Sequence, residues 1–192
     1  MVEKNGSRTL TSPPIGQALT FLATAAQNEG ELLRFEARLA PGSVIPQHVH
    51  LAQEERFEVL DGEGTWYVGA RRVPAGPGAT LAVPARRGHA FRNTGDRELR
   101  VIAELRPALD TEAVFEALFA LGAAGRVNRL GAPAPSTTAA LMLRHQFGME
   151  TEAAAIESAV DSALEAGLRT ADLGGEATTA DATRAVLENL RK

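Results

Sequence analysis

A mainly β fold, an antiparallel sandwich or barrel followed by a helical extension, is predicted by three observations. Apolar residues alternate with period two from Gly16 to about Leu105, and glycine-rich turns punctuate that stretch at short intervals. After Arg106-Pro107 the period changes to that of amphipathic helices. Many short strands separated by glycine turns are the pattern of a sandwich or barrel, not of alternating βα units.

Each element has its own reason. In LLRFEARLA, Leu33, Phe35, Ala37 and Leu39 share one face while Arg34, Glu36 and Arg38 share the other, as a half-buried strand requires. The alternation returns in LRVIAEL through Leu99, Val101, Ala103 and Leu105. Between them lie the short apolar runs FEVL, TWYV, ATLAV and HAF, separated by DGEG, PAGPG and NTGD. Past Pro107, Asp110 or Thr111 caps a helix whose stripe is Val114, Phe115, Leu118, Phe119 and Leu121, ending at Gly122 or Gly125. NRLGAPAP reads as a turn or linker, after which Ser136 caps TTAALMLRHQF, stopped at Gly148. Thr151 caps the alanine-rich EAAAIESAVDSALEAG, with Ile156, Val160 and Leu164 down one side and Gly167 as its stop. LRTADLGGEA is irregular, and Thr178 or Thr179 opens a last helix carrying Val186, Leu187 and Leu190. The expected division is an N-terminal arm (1–15), a β domain (16–106) and a helical extension (107–192).

Composition narrows the function. A chain of 192 residues accommodates one domain with a real core plus an appendage. The net charge of -4 argues against a general binder of nucleic acid or of membrane surfaces. With no cysteine there are no disulfides and no thiolate chemistry. The N-terminus carries no apolar signal core, and the most apolar window, AVFEALFALGAAG, holds Glu116 and is too short to span a bilayer. The expectation is a cytoplasmic protein with no nucleic-acid and no membrane partner.

Chemistry concentrates in PGSVIPQHVHLAQEERFEVLDGEG. The chain has four histidines. His48 and His50 share parity on a strand, so both side chains leave one face close together, as two ligands of one ion do. Glu55 has the opposite parity and needs a turn at LAQE to join them, whereas Glu54 keeps parity with His50. The strand that follows then points Glu55, Phe57 and Val59 inward. His89, in VPARRGHAFRN, is the third histidine of the β region, and only His145 falls among the helices, where it reads as a surface or partly packed residue.

These residues resemble the two motifs of the cupin superfamily. The first, GxxxxxHxH, three or four residues, then ExxxxxxG, is matched by Gly42, His48, His50, Glu55 and Gly62, and its last spacing selects Glu55 over Glu54. The second, GxxxxxPxGxxHxxxN, is matched by Gly78, Pro84, His89 and Asn93, with Arg86 where the second glycine is expected and Gly88 placed to take the left-handed conformation instead. The resemblance implies a cupin, jelly-roll-like antiparallel β-barrel with His48, His50, Glu55 and His89 turned inward around one divalent transition metal. Three imidazoles and a carboxylate suit Fe, Mn, Ni, Zn or Cu, and in octahedral geometry they leave two positions open for substrate, water or oxygen.

Weaker readings surround that centre. Arg86 and Arg87 flank the mouth and attract an anionic substrate in one reading, and are merely solvated in the other. Phe57, Trp66, Tyr67 and Phe91 line a pocket or pack the sheets, Phe57 being the best pocket candidate because it shares parity with Glu55. From about Ala132 to Leu190 the chain resembles the C-terminus of 3-isopropylmalate dehydrogenases. That family's catalytic lysine, tyrosine and aspartates lie upstream of the resembling segment, so it implies packing helices and no dehydrogenase activity. The expected function is a metal-dependent enzyme acting on a small molecule, by oxygen-dependent cleavage, isomerisation, cyclisation or lyase chemistry. The alternative is a non-catalytic binding or sensing module. The resemblance also implies exposed sheet edges and a broad apolar sheet face, hence a homodimer built by sheet packing.

Overall fold

The computed structural model describes residues 8–124, 135–170 and 174–191. The expected linker NRLGAPAP, apart from Pro135, and the alternative helix stop Gly125 lie outside the described residues, as do the side chain of Ser136 and part of LRTADLGGEA. Two compact units divide the chain, residues 1–133 and 134–192.

The first unit carries strands β1 (Thr9–Ser12), β2 (Gln17–Ala23), β3 (Leu33–Leu39), β4 (Val44–His48), β5 (Glu54–Asp61), β6 (Gly64–Val68), β7 (Arg71–Ala75), β8 (Thr80–Val83), β9 (His89–Asn93) and β10 (Leu99–Arg106), then helix α1 (Thr111–Ala123). They form two antiparallel sheets, a six-stranded one ordered β1-β2-β3-β10-β5-β8 and a four-stranded one ordered β4-β9-β6-β7. Period two explains the packing. In β3 and β10 the expected inward residues Leu33, Phe35, Leu39, Leu99, Val101, Ala103 and Leu105 are buried, and in register Leu99 faces Leu39 and Leu105 faces Leu33. Phe57 and Val59 of β5 join the same core with Trp66 and Phe91 from the other sheet, the two sheets thus sharing one apolar interior.

Proline and glycine place the boundaries. Pro46 and Pro74 sit on β4 and β7, the edge strands of the four-stranded sheet, where the missing N–H costs least. Gly122 lies one residue before the end of α1 and does not terminate it. A Cβ there would stand 2.3 Å from Ser12 Oγ, so the glycine lets α1 approach β1. Phe115 of α1 meets Phe35 edge-on, ring centroids 5.0 Å apart, and Val114 is buried beneath. Arg8 ties the same helix to the edge of the sheet through Glu112 and Glu116.

The outer face of the six-stranded sheet corrects one expectation. Instead of a broad apolar surface it carries ion pairs, Arg34 with Glu104, Arg100 with Glu36 and Arg56 with Glu54. The parity that turns leucine and phenylalanine inward turns these charges outward.

In the second unit α2 (Pro135–Phe147) packs on α3 (Glu150–Glu165) and α3 on α4 (Thr179–Asn189). Gly148 and Gly167 are left-handed, with φ of 64° and 91°, and end α2 and α3 as expected. Thr151 is not the cap of α3: the helix begins at Glu150 after Met149, whose amide donates to the Leu143 carbonyl. The buried residues of α3 are Ala153, Ala159 and Ala163, while Ile156, Val160 and Leu164 are only half-buried. Methyl-sized side chains let neighbouring helices close, and the larger ones are left at the flanks. Thr178 caps α4 in a reciprocal box with Asp181. No helix among the described residues is long and apolar enough to cross a membrane.

Candidate metal centre

Three elements converge on one point. His48 closes β4, His89 opens β9, and the two are direct partners across the β4–β9 ladder. Strand β4 stops at His48, so His50 is carried by the loop beyond it and not by the strand, yet the imidazole centroids of His48 and His50 lie 5.1 Å apart. Glu55, the second residue of β5, alternates inward with Phe57 and Val59, as the sequence spacing requires. Glu54 points out and pairs with Arg56 at 2.5 Å, which removes it as a competitor.

Among the described residues His48, His50, Glu55 and His89 each offer one donor atom, and those atoms lie within 4.8 Å of one another. Donors held about 2.1 Å from one ion stand about 3 Å apart as neighbours and about 4.2 Å as opposites, so the cluster has the size of a metal shell. The Glu55 Oε2 atom is 2.7 Å from His89 Nε2 and 3.4 Å from His50 Nε2.

Outer partners orient all three rings. The Nδ1 atom of His48 meets the Pro46 carbonyl at 2.8 Å, that of His89 meets the Arg87 carbonyl at 3.2 Å, and that of His50 meets Gln53 Oε1 at 3.1 Å. Oxygens of this kind only accept, so each Nδ1 carries a hydrogen and each ring turns its Nε2 inward. Within the centre His50 Nε2 is buried with no hydrogen-bond partner. A carboxylate packed against Nε2 atoms needs a proton or a cation between them, and a divalent metal is the cation that all four donors can share.

The electrostatics agree. Burial pushes the Glu55 carboxyl up, but the imidazoles of His50 and His89 facing it outweigh that and hold it at about 2. Burial, followed by the neighbouring His89, lowers His48 to about 4, so it stays neutral and available as a ligand near pH 7.

The surrounding residues fall into two groups. Phe57, Phe91 and Trp66 form a buried aromatic trio: Trp66 stacks on Phe91 with centroids 5.1 Å apart, and Phe57 meets both edge-on and reaches His89 at 6.3 Å. Tyr67 is half-buried on β6. Arg86 and Arg87 are exposed in the turn before β9. Here the expectation for Gly88 is corrected, because Arg86 itself takes the left-handed conformation, with φ 65°, and Gly88 does not. The Arg86 amide donates to the His50 carbonyl at 2.7 Å, which holds the turn at that residue and ties it to the ligand loop. Gly88 has a different use: a Cβ there would stand 2.7 Å from Gln47 Nε2. The motif glycines Gly42, Gly62 and Gly78 are all left-handed, and at Gly62 a Cβ would also meet the Glu98 carbonyl at 2.5 Å. His145 is half-buried on α2 in the second unit and is not part of the cluster.

Sequence reasoning overlooked Gln53. It is 1% exposed, bonds to His50, and reaches the chain at Pro107, Ala108 and Thr111. The one signal for it is a long amide side chain inside HLAQEE, between two ligands.

Comparison with known proteins also divides the chain in two, but at a different place from the compact units. Residues 35–103 match the cupin domain family, and residues 97–188 match the isocitrate/isopropylmalate dehydrogenase family, the two matches overlapping over 97–103. A 3-isopropylmalate dehydrogenase from Anaeromyxobacter dehalogenans is 53% identical over 53 residues, 28% of this chain but only 15% of the dehydrogenase. Among solved structures, KdgF from Halomonas sp. aligns with TM-score 0.46 and 18% identity over 50% of this chain and 84% of its own. A predicted oxalate decarboxylase from Thermotoga maritima aligns with TM-score 0.46 and 23% identity over 56% and 98%. By the two motifs, the family match over 35–103 and the geometry of the four ligands, this stretch resembles a cupin domain, and it is followed by a segment that resembles the C-terminal part of isopropylmalate dehydrogenases.

Proposed function

We propose that the chain is a metal-dependent enzyme acting on a small molecule, with His48, His50, Glu55 and His89 as the metal ligands. One observation carries this reading: each histidine has its Nδ1 committed to an outer oxygen and its Nε2 turned toward a carboxylate held ionised in the same cluster. A divalent transition metal held there supplies a Lewis acid for an oxygen-bearing substrate. The chain's own residues do the rest. Phe57, Phe91 and Trp66 form an apolar floor beside His89 that excludes water, and Arg86, exposed next to the His50 carbonyl, draws an anionic group toward the centre. In this reading the two sheets close as a jelly-roll-like barrel around the ligands, residues 16–106 form the domain that carries the site, and 107–192 is accessory, without dehydrogenase activity. Oxygenase, isomerase or cyclase, and lyase chemistry all fit such a centre, because a fold does not fix a reaction.

A second reading has its own support. Among the described residues the titratable side chains that are fully buried are Glu55 and His89, both members of the cluster, so a separate acid or base is not among them. A ligand-binding or sensing module needs none. Incubating the metal-loaded chain with candidate small molecules, with and without oxygen, separates the two. Turnover establishes the enzyme, and a ligand that binds tightly and is recovered unchanged under every condition establishes the module.

We also propose a homodimer in a cytoplasmic setting. Leu22 and Leu60, on strands of the first unit, are exposed and give an association surface its apolar part. Light scattering at micromolar concentration tests it, a monomer mass ruling it out.

A further inference from the structure

Gln53 links two parts of the first unit that the chain separates by more than fifty residues. Its side-chain amide is enclosed, 1% exposed, in the loop between His50 and Glu55. The Nε2 atom lies 2.9 Å from the Pro107 carbonyl, 3.0 Å from the Ala108 carbonyl and 2.9 Å from Thr111 Oγ1. Two of those three partners accept and cannot donate, so the NH₂ end must face them and Oε1 must face His50. Oε1 in turn requires a hydrogen of His50 on Nδ1, 3.1 Å away, and so fixes that ring with Nε2 toward Glu55.

The other end of the link is a helix start. Thr111 is the first residue of α1, and Ala108 and Thr111 are 1% and 3% exposed. The Ala108 amide is held by the Gly30 carbonyl at 2.9 Å, and Val114, one turn on, is buried. A shift of this segment therefore moves the acceptors of an amide that burial keeps from bulk solvent, and the loss reaches the ring of His50.

We propose that Gln53 is a positioning residue that couples occupancy of the metal centre to the seating of helix α1. This rests on the reading of the cluster as a metal site. Coupling of this kind is reciprocal: a metal that fixes His50 steadies the start of α1, and a change at the start of α1 alters metal affinity by the same factor. It gives a ligand at the centre a route to the helix that follows β10, and it assigns the first residues after Arg106 a part in the site.

The test uses the full chain stripped of metal, with Zn²⁺ as the probe, hydrogen–deuterium exchange over residues 108–118 and calorimetric titration. In the unsubstituted chain Zn²⁺ binds and slows exchange over 108–118. Gln53→Met removes both ends of the link, which abolishes that response and weakens Zn²⁺ binding roughly 10–100-fold. Gln53→Glu still accepts from His50 Nδ1 but sets a carboxylate against the Pro107 and Ala108 carbonyls. It retains most of the affinity and loses the response of the helix. Thr111→Val, which touches no ligand, weakens Zn²⁺ binding and speeds exchange at the helix start, and it decides the matter if Gln53→Met fails to fold. Binding of Zn²⁺ with unchanged exchange over 108–118, or wild-type affinity and response in Thr111→Val and Gln53→Met, overturns the coupling alone. Failure of the unsubstituted chain to take up Zn²⁺ overturns the metal reading and the coupling with it.

Discussion

Replacing Glu55 by glutamine removes one charge and almost no volume. The carboxylate it removes is 5% exposed, 2.7 Å from His89 Nε2, and held at about 2 against an ordinary value of 4.5. That difference corresponds to about 3 kcal/mol in favour of the folded, ionised form. Because the carboxyl is depressed on folding, the contribution is complete above pH 4.5 and disappears as pH falls toward 2. Metal-free Glu55→Gln therefore unfolds about 3 kcal/mol more easily than the parent at pH 7, and the two converge in acid. Trp66, the single tryptophan of the chain, is fully buried beside the centre, so its fluorescence reports the first unit. In a urea series with chelator present, a loss of that size moves the midpoint down by roughly 1–3 M. Coincident midpoints at pH 7 refute the placement of an ionised Glu55 between two imidazoles.

Further outcomes follow from neighbouring residues. In the metal-free parent, stability is level above pH 6.5 and falls as pH drops toward about 4, since unfolded His48 takes a proton there that buried His48 refuses. A flat urea midpoint over that window contradicts it. Arg86→Gly relieves a left-handed arginine and raises stability by up to about 1 kcal/mol, read as a higher melting temperature, and a lower one counts against the backbone assignment. A chain ending at Pro133 keeps α1 and unfolds as the full chain does by Trp66 fluorescence, whereas one ending at Arg106 loses the Gln53 acceptors and the contact of Phe115 on Phe35, and unfolds at lower urea. Equal midpoints for the two truncated chains refute the role given to α1.

What could be read from sequence was whatever depends on period and spacing. The inward faces of β3, β5 and β10 are alternations in the chain, and the six residues from Glu55 to Gly62 separate the ligand from Glu54. Strand β7, RRVPA, escaped that reading because it is an edge, exposed on two arginines and interrupted by Pro74. Strand β1, TLTS, offers a single large apolar residue. The charged outer face was visible in Arg34, Glu36 and Arg38, and the expectation of an apolar face came from family resemblance, not from these residues. Gln53 and the left-handed Arg86 depend on contacts across many residues of sequence. A buried amide between 50 and 111, or a turn held by the His50 carbonyl, leaves no periodic trace.

Metal content tests the central claim most directly. Protein purified without chelator and analysed by plasma mass spectrometry is predicted to carry about one equivalent of a divalent transition metal per chain, lost in both His50→Ala and Glu55→Gln. Less than about a tenth of an equivalent of any such metal, with no uptake on titration and no difference between parent and variants, contradicts the assignment of His48, His50, Glu55 and His89 as a metal centre.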